Sequence, residues 1–120
     1  MNSTPPKKRF GNWAEKYAEQ FLKNKNFQIL ERNYRFKHAE IDLITQYQNT
    51  IVFIEVKARS STAFGYPEET VSQNQKKSIK RAAVAYLESK QLNVEIRFDI
   101  ISILRKGNWK AIYHVEDAFY

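Results

Sequence analysis

A chain of 120 residues fits a single domain, and its 42% apolar and 14% aromatic content is enough for a hydrophobic core. It has no cysteine, which excludes disulfides, thiolate zinc sites and thiol nucleophiles, and His38 and His114 are too far apart for metal-ligand spacing. The net charge of +7 is uneven: residues 1–37 carry nine Lys/Arg against three Asp/Glu, residues 38–75 two against five, and residues 76–120 nine against five.

An acidic middle between two basic flanks suits a cation bound beneath a polyanion, since phosphates neutralised by Lys and Arg release their counterions. The alternative is a solvated basic surface. No apolar run approaches the ~20 residues that span a membrane, and Met1 to Gly11 lacks a signal-peptide apolar region. A cytoplasmic protein is expected.

Met1 to Arg9, with Pro5-Pro6-Lys7-Lys8-Arg9, reads as a flexible basic arm ahead of one domain over residues 10–120. From Phe10 to Asn26 the apolar residues fall on one helical stripe: Trp13, Tyr17 and Phe21 beside Ala14, Ala18 and Leu22. At ~100° per residue, Glu15 lies about 20° outside that stripe, an acid at the rim of a buried face.

Phe27 to Tyr34 reads as a first strand. Glu40 to Ile44 and Thr50 to Lys57 follow as a hairpin around Gln48-Asn49, both strands apolar on both faces as a central sheet position demands. Ser60 to Gly65 is a loop whose Phe64 and Tyr66 are candidates for stacking on bases or for closing over the core. Ser72-Gln73-Asn74-Gln75 matches a capping box, so a helix should start near Gln73 and run to about Lys90. Lys76, Lys77, Lys80 and Arg81 crowd its first turns, where cations oppose the helix dipole and a phosphate partner would relieve them. Val94 to Leu104 and Trp109 to His114 are strands flanking a turn at Arg105 to Asn108. The order αβββαββ makes an α/β domain on a mixed sheet.

Alternation puts Glu40 and Asp42 on one face of their strand, and Glu55 and Lys57 on one face of the next. With Gln48 and Asn49 as the turn, paired positions sum to 97 and Asp42 stands across from Glu55. Two carboxylates within about 5 Å on an apolar sheet repel each other and are costly to desolvate. A divalent ion between them removes that cost, and Mg²⁺ takes one or two carboxylates plus waters and substrate phosphate. Lys57 would sit beside such an ion, placed to align water or to stabilise charge building on phosphorus. The competing reading is a structural ion pair of Lys57 with either acid.

Asp42, twelve residues, then Glu55-Val56-Lys57 resembles the PD-(D/E)xK nuclease motif. The segments Gly11-Asn12-Trp13-Ala14-Glu15, Glu31-Arg32-Asn33-Tyr34-Arg35, Glu40-Ile41-Asp42-Leu43-Ile44, Val52 to Arg59 and Arg97-Phe98-Asp99 resemble the YraN family of small bacterial proteins, similar to Holliday-junction resolvases. The resemblance implies a restriction-endonuclease-like fold, a mixed sheet flanked by helices. It also implies a Mg²⁺- or Mn²⁺-dependent endonuclease acting on DNA, at branched or junction structures. By it Asp42 and Glu55, with the Val56 carbonyl, are metal ligands, Lys57 is the catalytic lysine, and Glu15 binds a second ion or positions water. Ala39 stands where the family usually has Gly, and the proline of the motif's name is absent. Arg32, Arg35, Arg59 and Lys76 are candidate nucleic-acid contacts, Asp99 a structural acid, and His38 and His114 surface or packing residues. Cutting both strands of a symmetric junction would call for a homodimer. The alternative function is a non-catalytic nucleic-acid-binding module on the same scaffold.

Overall fold

Two helices and five strands alternate in the order expected from the sequence: α1 (Pro6–Asn24), β1 (Gln28–Phe36), β2 (Ala39–Tyr47), β3 (Thr50–Arg59), α2 (Gln73–Ser89), β4 (Glu95–Lys106) and β5 (Trp109–Phe119). The computed structural model describes residues 6–60 and 71–120, with side chains from Gly11 onward. Phe64 and Tyr66 lie outside the described residues. The helix begins earlier than the 1–9 arm allows, because the backbone of Pro6 to Arg9 already belongs to α1. Proline suits a first helical turn, where its missing N–H is no loss. Among the described residues, no helix is long and apolar enough to cross a membrane.

The strands form one mixed sheet in the order β1-β2-β3-β4-β5. β1, β2 and β3 are antiparallel neighbours, β3 and β4 run parallel, and β5 returns antiparallel to β4. A parallel pair needs a long crossover, and α2 lies within it. The fold is a restriction-endonuclease-like α/β arrangement.

Each helix covers one face. Ala14, Ala18 and Leu22 are buried on α1 against Leu43, Val52, Ile54, Ile101 and Ile103, with Trp13, Tyr17 and Phe21 half-buried around them. The two alanines let the helix lie close to the sheet, while the aromatics seal the margins. On the other face Ile79, Ala82, Ala83 and Tyr86 of α2 pack against Ile41, Ile44, Ile51, Phe53 and Ile100. Each leucine, isoleucine, valine or phenylalanine buried in this way contributes about 1.5–3 kcal/mol.

Helix α2 starts as the capping box predicts: the Ser72 side chain accepts the Gln75 backbone N–H at 3.1 Å. The β2–β3 hairpin has the predicted register, from Tyr47 opposite Thr50 to Leu43 opposite Ile54, with Gln48 at φ 54° closing the turn. Ala39 is buried and is not among the residues at positive φ, so its methyl group fills core space without backbone strain.

Candidate active site at a fork in the sheet

Strand β2 leaves β3 at the position that matters. Their paired ladder ends at Leu43 opposite Ile54, one residue short of Asp42 and Glu55. Strict alternation would put Ile41 and Leu43 on one face, yet Ile41 packs on the α2 side and Leu43 on the α1 side. The irregularity is shared by β1, where Asn33, between the partners of Ile41 and Leu43, takes φ 51°. Asparagine tolerates this left-handed conformation better than most residues.

Asp42 fills the fork. One of its carboxylate oxygens accepts the Val56 backbone N–H at 2.7 Å, the bond that a continuing β2 would have made. In an extended strand the N–H and C=O of one residue point to the same edge. The Val56 carbonyl therefore points into the same opening, beyond the end of the ladder. Three oxygen donors of Asp42, Glu55 and Val56 thus belong to one gap in the sheet.

Glu55 lies on the α2 face, 6% exposed. Its carboxyl group accepts a hydrogen bond from the Gln75 side-chain amide and lies within hydrogen-bonding reach of Asp42. Burial, reinforced by the neighbouring Asp42, pushes Glu55 up to about 9, although Lys57 and Gln75 pull the other way. At neutral pH without a cation, the two acids therefore hold a proton that isolated carboxylates would have lost.

Two clefts meet here. A cavity of about 460 Å³ on the α2 side is lined by Glu40, Asp42, Glu55, Val56, Lys57 and Gln75, among others. A second, of about 290 Å³, lies on the α1 side between Gly11, Ala14 and Glu15 and the same Asp42, Val56 and Lys57. Glu15 is raised above the ordinary carboxylate range by burial, then by repulsion from Asp42 and Glu40. Asn33 donates to it at a long 3.5 Å. The fork thus brings together acids from β2, β3 and α1.

The other expected residues are placed differently. Glu40 shares the larger cleft but pairs with Arg35 at 2.9 Å. Arg32 is held by Glu19 of α1, its Nε donating at 2.9 Å. Both arginines are therefore engaged within the protein. Arg59 follows the site on β3, and its buried Nη1 meets no acceptor among the described residues. Lys76, in the first turn of α2, lies 5.7 Å over the Phe119 ring. His38 is exposed at the rim of the larger cleft.

Two features escaped the sequence reading. Gln75 was legible only as the last residue of a capping box, and its reach to Glu55 depends on where the helix start docks. The second is a buried polar array around Asp99. His114 Nε2 and Arg97 Nη2 lie 2.7 and 2.8 Å from one Asp99 oxygen, and the other accepts the Arg97 Nε at 2.8 Å and the Asp117 N–H at 2.9 Å. Lys25 Nζ is 2.6 Å from His114 Nδ1. An ammonium can only donate, so Nδ1 accepts and the ring proton on Nε2 goes to Asp99. His114 is thus a built-in linker, more than a packing residue. Burial alone would raise Asp99, but His114, Arg97 and the Asp117 N–H together hold it below the usual range.

The donor set at the fork suits a hard divalent cation: carboxylate and carbonyl oxygens, with no thiolate or imidazole needed. Among the described residues, no three or more His, Cys, Asp or Glu side chains are gathered closely enough to enclose an ion by themselves. The site has two carboxyl groups at its centre, Asp42 lining both clefts and Glu55 the larger of the two.

A mixed five-stranded α/β sheet with a helix on each face defines the class of fold, which is restriction-endonuclease-like. The match to known proteins is more specific. The profile of an uncharacterised protein family, UPF0102, matches residues 14–103, and the chain belongs to this family, also called YraN. It is 42% identical to a UPF0102 protein of Syntrophomonas wolfei over 93% of this chain and 98% of that one. It is 40% identical to one of Christiangramia forsetii, over 92% of each chain, and 42% identical to one of Flavobacterium psychrophilum, also over 92% of each.

Proposed function

We propose that this protein is a metal-dependent endonuclease that hydrolyses nucleic-acid phosphodiesters, with DNA at branched or junction structures as its substrate. One observation carries the reading: two carboxyl groups, one of them buried, come within hydrogen-bonding reach of each other at a break in the sheet, with a lysine lining the same cleft. A fold that merely binds DNA gains nothing from that repulsion.

Asp42, Glu55 and the Val56 carbonyl would hold Mg²⁺ or Mn²⁺. Such an ion supplies a counter-charge for the phosphate and a lowered pKa for water. The chain does the rest. The Val56 N–H and the Gln75 amide each hold one carboxylate by a hydrogen bond, limiting its rotation. Lys57 presents its ammonium to the cleft, where it stabilises negative charge building on the phosphate. Glu15, entering from the α1 side with its raised pKa, is suited to accept or hold the proton of a water.

The test is cleavage of four-way junction, flap, single-stranded and plain duplex DNA with Mg²⁺ or Mn²⁺ by wild type, Asp42→Asn and Lys57→Ala. Cleavage by wild type that is lost in both variants supports the proposal. A second reading, a binding module without turnover, draws on the missing third side-chain ligand among the described residues. It predicts binding unchanged in both variants and no cleavage by any of the three proteins.

A further inference from the structure

The sheet face that bears Glu55 and Lys57 continues past the cleft to β5, and its far margin is aromatic. The parallel β3–β4 register sets Lys57 beside Ser102 and Arg59 beside Leu104. The antiparallel β4–β5 register sets Ser102 beside Tyr113, Leu104 beside Ala111 and Lys106 beside Trp109. Directly paired residues share a face, so Lys57, Ser102 and Tyr113 form one row across three strands. Strands lie about 4.8 Å apart, which puts Tyr113 about 10 Å from Lys57 across the sheet.

Trp109 and Tyr113 are each 56% exposed, an unusual state for large rings on a strand. Ile112 and Val115 confirm the assignment of faces, the first packing on the α1 side and the second on the α2 side. The two rings stand four residues apart on one face, about 14 Å along the strand. Helix α2 packs over β1 and β2, on the other side of this face. Residues 100–106 and 109–115 include no acid, and of their three cations Lys106 is on this face, while Arg105 and Lys110 lie on the α1 face over Trp13. Lys106 shares the face of Trp109, and Arg59 lies in the next row.

We propose that Trp109 and Tyr113, flanked by Arg59 and Lys106, form a stacking surface for unpaired bases of a strand whose phosphate lies in the Asp42–Glu55–Lys57 cleft. The inference rests on the nucleic-acid reading above and names the substrate class: DNA with a single-stranded or splayed segment next to the bond to be cut. Rings offer π-faces to bases of any sequence, and the cations between them follow the backbone.

Binding is measured in the full chain carrying Asp42→Asn, with EDTA present, so that turnover plays no part. The probes are an oligo-dT single strand, a blunt duplex of the same length and a duplex with a single-stranded flap. With Trp13→Phe added, Trp109 is the remaining tryptophan, and its fluorescence should be quenched by the single strand and the flap but not by the duplex. Trp109→Ala and Tyr113→Ala should each weaken single-strand and flap binding about tenfold and leave duplex binding within twofold. Trp109→Phe should restore most of the loss.

Equal weakening for all three probes, or none, overturns the proposal. So does a shift in sedimentation of the alanine variants with unchanged DNA binding, which would make β5 an interface between copies of the chain. Discrimination without cleavage by wild type would keep the stacking surface and remove the nuclease. Cleavage by wild type without discrimination would do the reverse.

Discussion

Asp99 and Glu55 are buried carboxyl groups on adjacent strands, one residue out of step, since Asp99 stands beside Ile54. They lie on opposite faces and have opposite electrostatics. Asp99 has a guanidinium, an imidazole and a backbone N–H directed at it, and is held below the ordinary carboxylate range. Glu55 is buried with another acid beside it, and is pushed up to about 9 although Lys57 and the Gln75 amide pull the other way. A buried charge is tolerable when the protein supplies its partners and costly when it does not. The fold supplies them on the α1 face and withholds them at the fork. That contrast separates an acid with hydrogen-bond donors directed at it from one set beside a second acid.

The largest effect expected from this contrast is on chemistry. Asp42→Asn or Lys57→Ala should lower the rate of metal-dependent cleavage by about 10²–10³-fold, measured in single turnover, with little change in urea unfolding. Asp99→Ala should do the opposite. It strands Arg97 and His114 without their acceptor, so unfolding should shift by about 3–5 kcal/mol. Equal loss of stability in the Asp42 and Asp99 variants would erase the distinction.

Next comes pH. Glu55 has a folded pKa above its unfolded value of about 4.5, so the folded state binds the extra proton between those limits. Its contribution is full below pH 4.5 and is lost as pH rises toward 9. Asp99, held below its ordinary value, contributes above the unfolded pKa, and that part is lost in acid. Thermal melts of metal-free protein from pH 5 to 9 should therefore fall with pH. Glu55→Gln should flatten the slope and raise stability at pH 8 by about 1–3 kcal/mol. A wild-type curve that rises over this range would contradict the proposed state of the acid pair.

The smallest effect is expected at the surface. Arg32→Ala removes an exposed pair with Glu19 and should cost under about 1 kcal/mol. A loss of DNA affinity in that variant larger than in Arg59→Ala would show that the Arg32–Glu19 pair opens to meet phosphate.

Much of the architecture is legible in the sequence. Apolar periodicity marks both helices and all five strands, because burial of one stripe or one face imposes 3.6- or 2-residue spacing. The hairpin register followed from two turn residues, since a short turn leaves the flanking positions no choice of partner. The expected Asp42–Glu55 strand pair did not form, because the ladder stops at Leu43 opposite Ile54 and Asp42 accepts the Val56 N–H instead. Element ends were less legible: β5 extends to Phe119, five residues beyond the expected end, because Val115 and Phe119 find core partners on the α2 face. Arg32 and Arg35 read as candidate nucleic-acid contacts, and in the fold acids on α1 and β2 pair with them.

By itself the sequence determined the order of elements, the two apolar faces and the pairing of acids with a lysine, all of which arise from local spacing. Tertiary structure alone decided that β2 parts from β3 at Asp42, that Gln75 comes to Glu55, and that Lys25 meets His114 across 89 residues. These depend on how separate elements dock, and docking is set by the shape of the whole core. Local periodicity does not encode that shape.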